Sequence, residues 1–105
     1  MKKIVLVAGG TGDLGGRVIN LLLDKGAEVR VVVRASSDIE KIRKLENLGT
    51  RVFKVNMLSL KEISQACPGV TCVVSTLQGL HDVIVHAQKI LLDAAIEAGV
   101  PRFIP

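Results

Sequence analysis

The strongest constraint on the fold is the order of features at the start of the chain. From Lys3 to Ala8 the sequence is a continuous run rich in β-branched residues, as expected of a strand that is buried on both faces. Glycines follow at once, and Leu14–Lys25 then carries apolar residues at helical spacing. A strand that leads directly into a helix predicts a parallel sheet, because helices are the usual crossovers between parallel strands.

The same alternation of strand and helix continues along all 105 residues, without repeats or low-complexity segments. The sequence therefore predicts one α/β domain over residues 1–105, a Rossmann-type doubly wound parallel sheet that runs from its first strand to the start of its fifth. After the first, the predicted strands are Glu28–Val33, Arg51–Val55, Thr71–Ser75 and Arg102–Ile104.

Local signals predict where the helices begin and end. Gly26 and Gly49 should stop the first two helices. Ser37 with Glu40, and Ser59 with Glu62, have the spacing of capping boxes, and Pro68-Gly69 should close the short third helix. The residues expected to face the core are Leu14, Val18, Leu21 and Leu22 in the first helix, and Ile39, Ile42 and Leu45 in the second.

The last predicted helix, Val83–Ala98, is apolar on nearly all sides. A helix that packs on a sheet through one face does not need apolar residues on the other. We therefore expect this helix to be covered on two sides in the intact protein, by the sheet on one and by further chain or a second subunit on the other. A homodimer is one such arrangement.

The glycine-rich turn carries the functional signal. Gly10, Gly12 and Gly15 satisfy G-x-G-x-x-G, directly after a buried strand and directly before a helix. Glycine lets the backbone approach a phosphate, and the helix N-terminus then faces the anion. This predicts a dinucleotide pyrophosphate site with a positive φ at Gly12, whereas the alternative is a turn that merely joins strand to helix. A P-loop is excluded because no Gly-Lys-Ser or Gly-Lys-Thr follows.

The end of the second strand indicates which dinucleotide binds. A fold that selects NAD usually has Asp or Glu there, on the ribose 2′-hydroxyl. This chain has Arg34, followed by Ala35-Ser36-Ser37. Since a guanidinium can pair with a 2′-phosphate, the sequence favours NADP(H) as the cofactor. The alternative is a solvated surface arginine.

Composition excludes several other classes of function. The net charge is +4, but the charges of both signs alternate, and two Phe with no Tyr or Trp argue against a nucleic-acid interface. No stretch reaches membrane-spanning length, so we expect no membrane partner and a cytoplasmic location. Cys67 and Cys72 are expected to be free thiols, and His81 and His86 are too poorly spaced on a helix to form a metal pair.

With these features placed, the whole chain resembles the NmrA-like and isoflavone-reductase-like group of atypical short-chain dehydrogenases/reductases. The resemblance rests on Val7–Gly12 with Leu14-Gly15, on Val33-Arg34, on Val74–Thr76 and on Ala94–Pro105. It implies an NADP(H) site at Gly9, Thr11, Gly12, Asp13, Leu14 and Gly15 (pyrophosphate), Arg34, Ser36 and Lys41 (2′-phosphate), Asn56 and Met57 (adenine), and Ser75, Thr76 and Leu77 (along the cofactor).

The resemblance also implies where the catalytic residues and the substrate site lie. Members of the group that are reductases carry the catalytic lysine, or a Tyr-x-x-x-Lys pair, after the fifth strand, so no catalytic residue is expected within these residues. The small-molecule substrate is expected to bind to a C-terminal part that this sequence lacks. NADPH-dependent hydride transfer to a small organic substrate is the favoured activity. The alternatives are a non-catalytic NADP(H)-binding redox sensor and half of a sugar-nucleotide epimerase.

Overall fold

The computed structural model of this protein describes residues 3–9, 12–77 and 81–104. Strands and helices alternate along the chain, and the strands form one five-stranded sheet. The elements are β1 (Ile4–Ala8), α1 (Asp13–Asp24), β2 (Glu28–Arg34), α2 (Ile39–Asn47), β3 (Arg51–Val55), α3 (Leu60–Ser64), β4 (Cys72–Ser75), α4 (His81–Glu97) and β5 (Arg102–Ile104).

The sheet has the order β3-β2-β1-β4-β5, and each neighbouring pair is parallel. The chain proceeds outward from β1 to β3, then crosses back to place β4 on the other side of β1. This is a doubly wound sheet, and it confirms the predicted Rossmann-type α/β class. The predicted strands agree with the observed ones to within one residue at either end.

Alternate residues of the strands point to opposite faces of the sheet and build two cores. Val5, Val7 and Val31 pack with Ile19 of α1 and with α2 on one face, whereas Leu6 and Val32 pack with α3 and α4 on the other. Because both faces are covered, the central strands are rich in β-branched residues, chiefly valine, which is the pattern that the sequence displays.

The buried face of α1 differs from the predicted one. Leu14 and Leu21, expected in the core, are 53% and 58% exposed, while Gly15 and Ile19 are buried. The buried face of the helix is thus shifted by one residue relative to the prediction, with Gly15 buried in place of Leu14. Val18 and Leu22 are half-buried against the same core, as expected.

The N-terminus of α2 also differs. Asp38, not Ser37, is the N-cap, and its carboxylate accepts a hydrogen bond from the Glu40 N–H at 2.9 Å. The helix therefore starts one residue later than predicted. Ile42 and Leu45 are buried as expected, but Ile39 falls in the first turn and is 54% exposed.

The predicted cap of α3 is half correct. The Ser59 Oγ accepts from the Glu62 N–H at 3.2 Å, but the Glu62 carboxylate accepts from the Asn56 N–H at 3.3 Å instead of from Ser59. The helix ends at Ser64, several residues before Pro68-Gly69, which lies in the turn that leads to β4.

The outer face of α4 is less apolar than the sequence predicts, because His86, Lys89, Asp93 and Glu97 are exposed beside its apolar residues. Val85, Leu92 and Ile96 are exposed there, while Leu91, Ala94 and Ala95 are buried against the sheet. What covers the outer face in the intact protein stays a prediction. Within the described residues, no helix combines the length and the apolar character that crossing a membrane requires.

Candidate functional site

The order of the strands reverses between β1 and β4, and a cleft of about 230 Å³ lies at the carboxyl ends of the strands beside that point. In open α/β sheets this switch point is where ligands bind. The residues that line this switch-point cleft are Gly9, Gly12, Val32, Val33, Arg34, Ser37, Lys41, Met57, Thr76 and Leu77.

The turn after β1 begins with a glycine that no other residue could replace without strain. Gly9 has a φ of +84°, and a Cβ at this position would lie 2.8 Å from the carbonyl oxygen of Thr76. The Gly9 N–H donates to the Val32 carbonyl at 3.2 Å, which attaches the turn to β2 as well. Gly12, by contrast, has a φ of −86°, so the positive φ predicted there is wrong.

The N-terminus of α1 opens into this region without a side-chain cap. Gly12 is its N-cap, whereas Asp38 and Ser59 supply side-chain caps to α2 and α3. Asp13 is exposed in the first turn of α1. The leading N–H groups of a helix have no intrahelical acceptors, and together with the helix dipole they favour an anion at this position.

Two cations line the switch-point cleft. Arg34 is the last residue of β2, and Lys41 lies in the first turn of α2. Between them, Ser37 donates its N–H to the Arg34 carbonyl at 2.9 Å, which closes the loop that connects the two elements. No carboxylate is found among the described residues of the cleft lining, so its electrostatic character suits an anionic ligand.

A second, more apolar cavity of about 490 Å³ adjoins the cleft, with Arg34, Met57 and Leu77 lining both. The turn after β3 forms one wall of this side cavity. Asn56 shapes that turn, since its Oδ1 accepts from the Leu58 N–H at 2.9 Å. The remaining residues that line the side cavity are Ala35, Ser36, Val55, Ile84 and Ala87.

The three candidate residues after β4 have different surroundings. The Ser75 Oγ donates to the Oε1 of Gln88 on α4 at 2.8 Å, and Ser75 lines neither the cleft nor the side cavity. Thr76 lines the cleft, but its hydroxyl donates to the Ala8 carbonyl at 2.7 Å. Leu77 lines both spaces. The predicted position along the cofactor thus fits Leu77 and the backbone of Thr76, and does not fit the side chain of Ser75.

The structure brings most of the predicted site residues to these two spaces. Gly9, Gly12, Arg34, Lys41, Met57, Thr76 and Leu77 line the cleft, and Ser36 and Asn56 line the side cavity. Asp13, Leu14 and Gly15 form the first turn of α1 and line neither the cleft nor the side cavity. Leu14 is exposed, and Gly15 is buried. Gly10 and Thr11 lie outside the described residues. Whether these residues bind a cofactor stays a prediction.

Sequence reasoning missed several residues of the lining. Val32 and Val33 were expected only as part of the second strand, yet near the end of β2, beside the switch point, both line the cleft. Ser37 was expected to cap α2, and because Asp38 does so, Ser37 is left to line the cleft. Ile84 and Ala87 line the side cavity because α4 packs beside it, and the sequence carries no local signal for that packing.

Among the side chains that the structure describes, the remaining titratable candidates do not form a site. Cys67 and Cys72 are free cysteines, as expected, and Cys67 is buried with its Sγ 3.5 Å from the Ile63 carbonyl oxygen. His86 is exposed on α4, and the side chain of His81 lies outside the described residues. Across residues 3–9, 12–77 and 81–104, no group of three or more His, Cys, Asp or Glu could hold a metal ion.

The sequence and the fold both match known proteins. A family model described as the NmrA-like family matches residues 1–105. Pinoresinol reductase 2 from Arabidopsis thaliana is 36% identical over 112 residues, which cover 99% of this chain and 35% of the relative. The chain therefore spans about a third of the length of the curated relatives that it matches.

Two solved structures match the fold closely. AtPrR2 with NADP+ and (+)pinoresinol has a TM-score of 0.83 and 34% identity, and the match covers 100% of this chain and 36% of that one. The triphenylmethane reductase of Citrobacter sp. complexed with NADP(H) has a TM-score of 0.78 and 27% identity, covering 94% of this chain and 35% of that one.

Proposed function

The chain belongs to the NmrA-like family, and from that premise we propose that it is the NADP(H)-binding domain of a reductase that transfers hydride to a small organic substrate. One observation carries the proposal. A cationic cleft at the switch point opens into a more apolar cavity, and Arg34 lines both. A nucleotide with a 2′-phosphate has the matching order of groups, because the phosphorylated ribose links an apolar base to an anionic pyrophosphate.

The pyrophosphate is assigned to the turn after β1 and to the first turn of α1. Gly9 and Gly12 present backbone without side chains to the cleft, and the uncapped N–H groups at Asp13, Leu14 and Gly15 supply donors. Asp13 is exposed and does not line the cleft. Thr11 stays a candidate by its place in the glycine motif.

The 2′-phosphate is assigned to Arg34 and Lys41. A guanidinium can donate two parallel hydrogen bonds to a phosphate, and an ammonium adds a second positive charge. Ser36 lines the side cavity next to Arg34 and offers a hydroxyl. An NAD-selective site has an acid at the end of β2 for the ribose 2′-hydroxyl, and this chain has Arg34 in that position.

The adenine is assigned to the side cavity. Met57, Leu58, Leu77 and Ile84 give it apolar walls, and Asn56 adds a polar group beside them. Flat aromatic rings gain most of their binding free energy from such burial, while a few polar groups fix their orientation. The Arg34 guanidinium at the boundary can stack on the base.

The nicotinamide ring, when the cofactor is bound, supplies the hydride for reduction. The role of the residues described here is to bind and orient the dinucleotide at the switch point. The reductive activity is supported by the relatives, since pinoresinol reductase 2 and the triphenylmethane reductase are both named for reducing small organic molecules. The substrate site itself is assigned to the two thirds of those relatives that these residues do not match.

Replacing Arg34 tests the assignment of the 2′-phosphate. Arg34→Gln keeps a polar side chain but removes the charge, so we expect the Kd for NADPH to rise roughly ten- to a hundredfold while the Kd for NADH stays within about threefold. Arg43→Gln, an exposed change on α2 that does not line the cleft, is the matched control. A loss of affinity that is equal for both cofactors, or no loss at all, would refute the role of Arg34.

A further inference from the structure

Two threonines flank β4 and attach it to β1 in the same way. Thr71 donates both its N–H (2.8 Å) and its hydroxyl (3.1 Å) to the Ile4 carbonyl, at the start of β1. Thr76 donates both its N–H (2.8 Å) and its hydroxyl (2.7 Å) to the Ala8 carbonyl, at the end of β1. Each carbonyl thus uses both lone pairs, and the two strands that border the switch point are tied together at both ends.

The two ends differ in what lies next to them. Thr71 is exposed at the edge of the sheet away from the cleft, whereas Thr76 is 5% exposed and borders it. Gly9 directly follows the Ala8 carbonyl to which Thr76 bonds. Its Cα packs so closely on the Thr76 backbone that an added Cβ would also lie 3.2 Å from the Cα of Leu77. Gly9, the first residue of the turn, therefore lies directly against the backbone of Thr76 and Leu77, which forms the opposite wall of the cleft.

We propose that Thr76 is a positioning residue for the dinucleotide. Its buried hydroxyl does not bind the ligand; it holds the Ala8 carbonyl, and through it sets the separation between the turn at Gly9 and the cleft wall at Leu77. This inference rests on the proposed function, because the ligand positioned is the pyrophosphate of NADP(H).

The affinity for the pyrophosphate is sensitive to this separation because hydrogen bonds from backbone N–H groups weaken steeply with distance and angle. A ligand held between two walls requires both to be in place before it binds. The hydroxyl of Thr76 adds a second bond to a strand pair that the N–H already connects. Its removal leaves no carbonyl without a donor and changes only how firmly the two walls are held.

The test compares three threonines that each donate a hydroxyl to a backbone carbonyl. Thr76→Val removes the hydroxyl at nearly constant shape, and Thr76→Ser retains it. Thr71→Val removes the equivalent bond at the other end of β1, and Thr50→Val removes a buried hydroxyl that donates to the Leu45 carbonyl at 2.7 Å, next to β3. The Kd for NADPH and for NADH is measured by calorimetry on each purified variant, and stability by urea unfolding.

We expect Thr76→Val and Thr50→Val to lose stability to a similar degree and Thr71→Val, at an exposed position, to lose less, but only Thr76→Val to raise the Kd for NADPH, by about tenfold. Thr76→Ser should bind within about threefold of the wild type. The ratio of the NADH and NADPH Kd values should stay constant, since both cofactors contain the pyrophosphate. If Thr76→Val does not fold, Thr76→Ala replaces it with the same expected rise.

Two results separate the possible failures. If the wild type does not bind NADPH, the proposed function fails. If the wild type binds NADPH but the folded Thr76→Val or Thr76→Ala variant binds it equally well, or Thr71→Val and Thr50→Val weaken binding as much, the positioning role of Thr76 is wrong.

Discussion

Gly9 and Thr76 approach each other so closely that a Cβ on Gly9 would lie 2.8 Å from the Thr76 carbonyl oxygen. Real Cβ atoms do not come this near to a backbone oxygen, so the backbone would have to move. Two neighbouring strand ends at the switch point therefore meet through a position that only glycine can occupy, and this contact determines the shape of the cleft on its β1 side.

Gly9→Ala should consequently destabilise the protein more than an ordinary glycine replacement. Its positive φ and the backbone contact should together cost about 1–3 kcal/mol of the free energy of unfolding. Gly26→Ala is the matched control, because Gly26 has a φ of +81° but nothing within 4 Å of an added Cβ. Urea unfolding of both variants measures the difference, and equal losses would show that the contact with Thr76 imposes no strain.

The N-cap of α2 gives a second prediction. Asp38→Ala removes the acceptor for the Glu40 N–H and should lower the free energy of unfolding by about 1 kcal/mol. Ser37→Ala should leave stability nearly unchanged, because the Ser37 side chain does not cap the helix. Should thermal unfolding show the larger loss for Ser37→Ala, the helix would begin where the sequence alone predicted.

Arg30 attaches β2 to the turn that follows α3, which gives a third prediction. Its Nη1 donates to the carbonyls of Ala66 (3.0 Å) and Pro68 (2.6 Å), and its side chain is 13% exposed. Arg30→Met leaves both carbonyls without this donor and should cost about 1–3 kcal/mol of stability. The loss should fall at the lower end, since the Arg30 Nε is buried without a hydrogen-bond partner among the described residues and its removal is favourable.

Arg17→Met, an exposed change on α1, is the control for the loss of a positive charge and should alter stability by less than about 0.5 kcal/mol. Chemical unfolding of the two variants in parallel measures the effect. If both variants matched the wild type, the contacts of Arg30 would contribute nothing to the fold.

The raised pKa values of the two cysteine thiols should make the stability of the protein depend on pH. Burial raises the pKa of Cys67 above its ordinary value of 9.0, although the nearby Arg30 charge opposes the shift, and burial also raises the pKa of Cys72. The folded state therefore holds these protons more tightly than the unfolded state does. As the pH rises past the ordinary value of 9.0, the unfolded chain loses its thiol protons first, and the free energy of unfolding should fall.

Cys67→Ala should reduce this alkaline loss, because the variant lacks one of the two thiols. Urea unfolding at several values between about pH 8 and pH 10 measures the slope for the variant and the wild type. Identical slopes would mean that the Cys67 thiol has the same pKa in the folded and the unfolded protein.

Much of the fold could be predicted because its signals are local. The strands are rich in β-branched residues, and Gly26 and Gly49 end their helices with positive φ angles as expected. The errors arose where two neighbouring residues could serve equally well. Ser37 and Asp38 are both good caps, and α1 offers several possible apolar faces, of which the one with Gly15 and Ile19 is buried.

The candidate site was predictable to the extent that it follows strand ends. Arg34, Met57 and Leu77 each follow or end a strand, and the topology brings them together. The inward turn of the Thr76 hydroxyl and the bond between Ser75 and Gln88 depend on how β4 packs against β1 and α4, and no spacing in the sequence reports that. The walls that α4 adds to the side cavity were missed for the same reason.

Calorimetric titration of the wild-type protein with NADPH and with NADH, at the same ionic strength, tests the central claim most directly. With Arg34 and Lys41 lining the cleft and no acid at the end of β2, NADPH should bind at least about tenfold more tightly than NADH. Equal affinities for the two cofactors, tighter binding of NADH, or no binding of either would contradict the account.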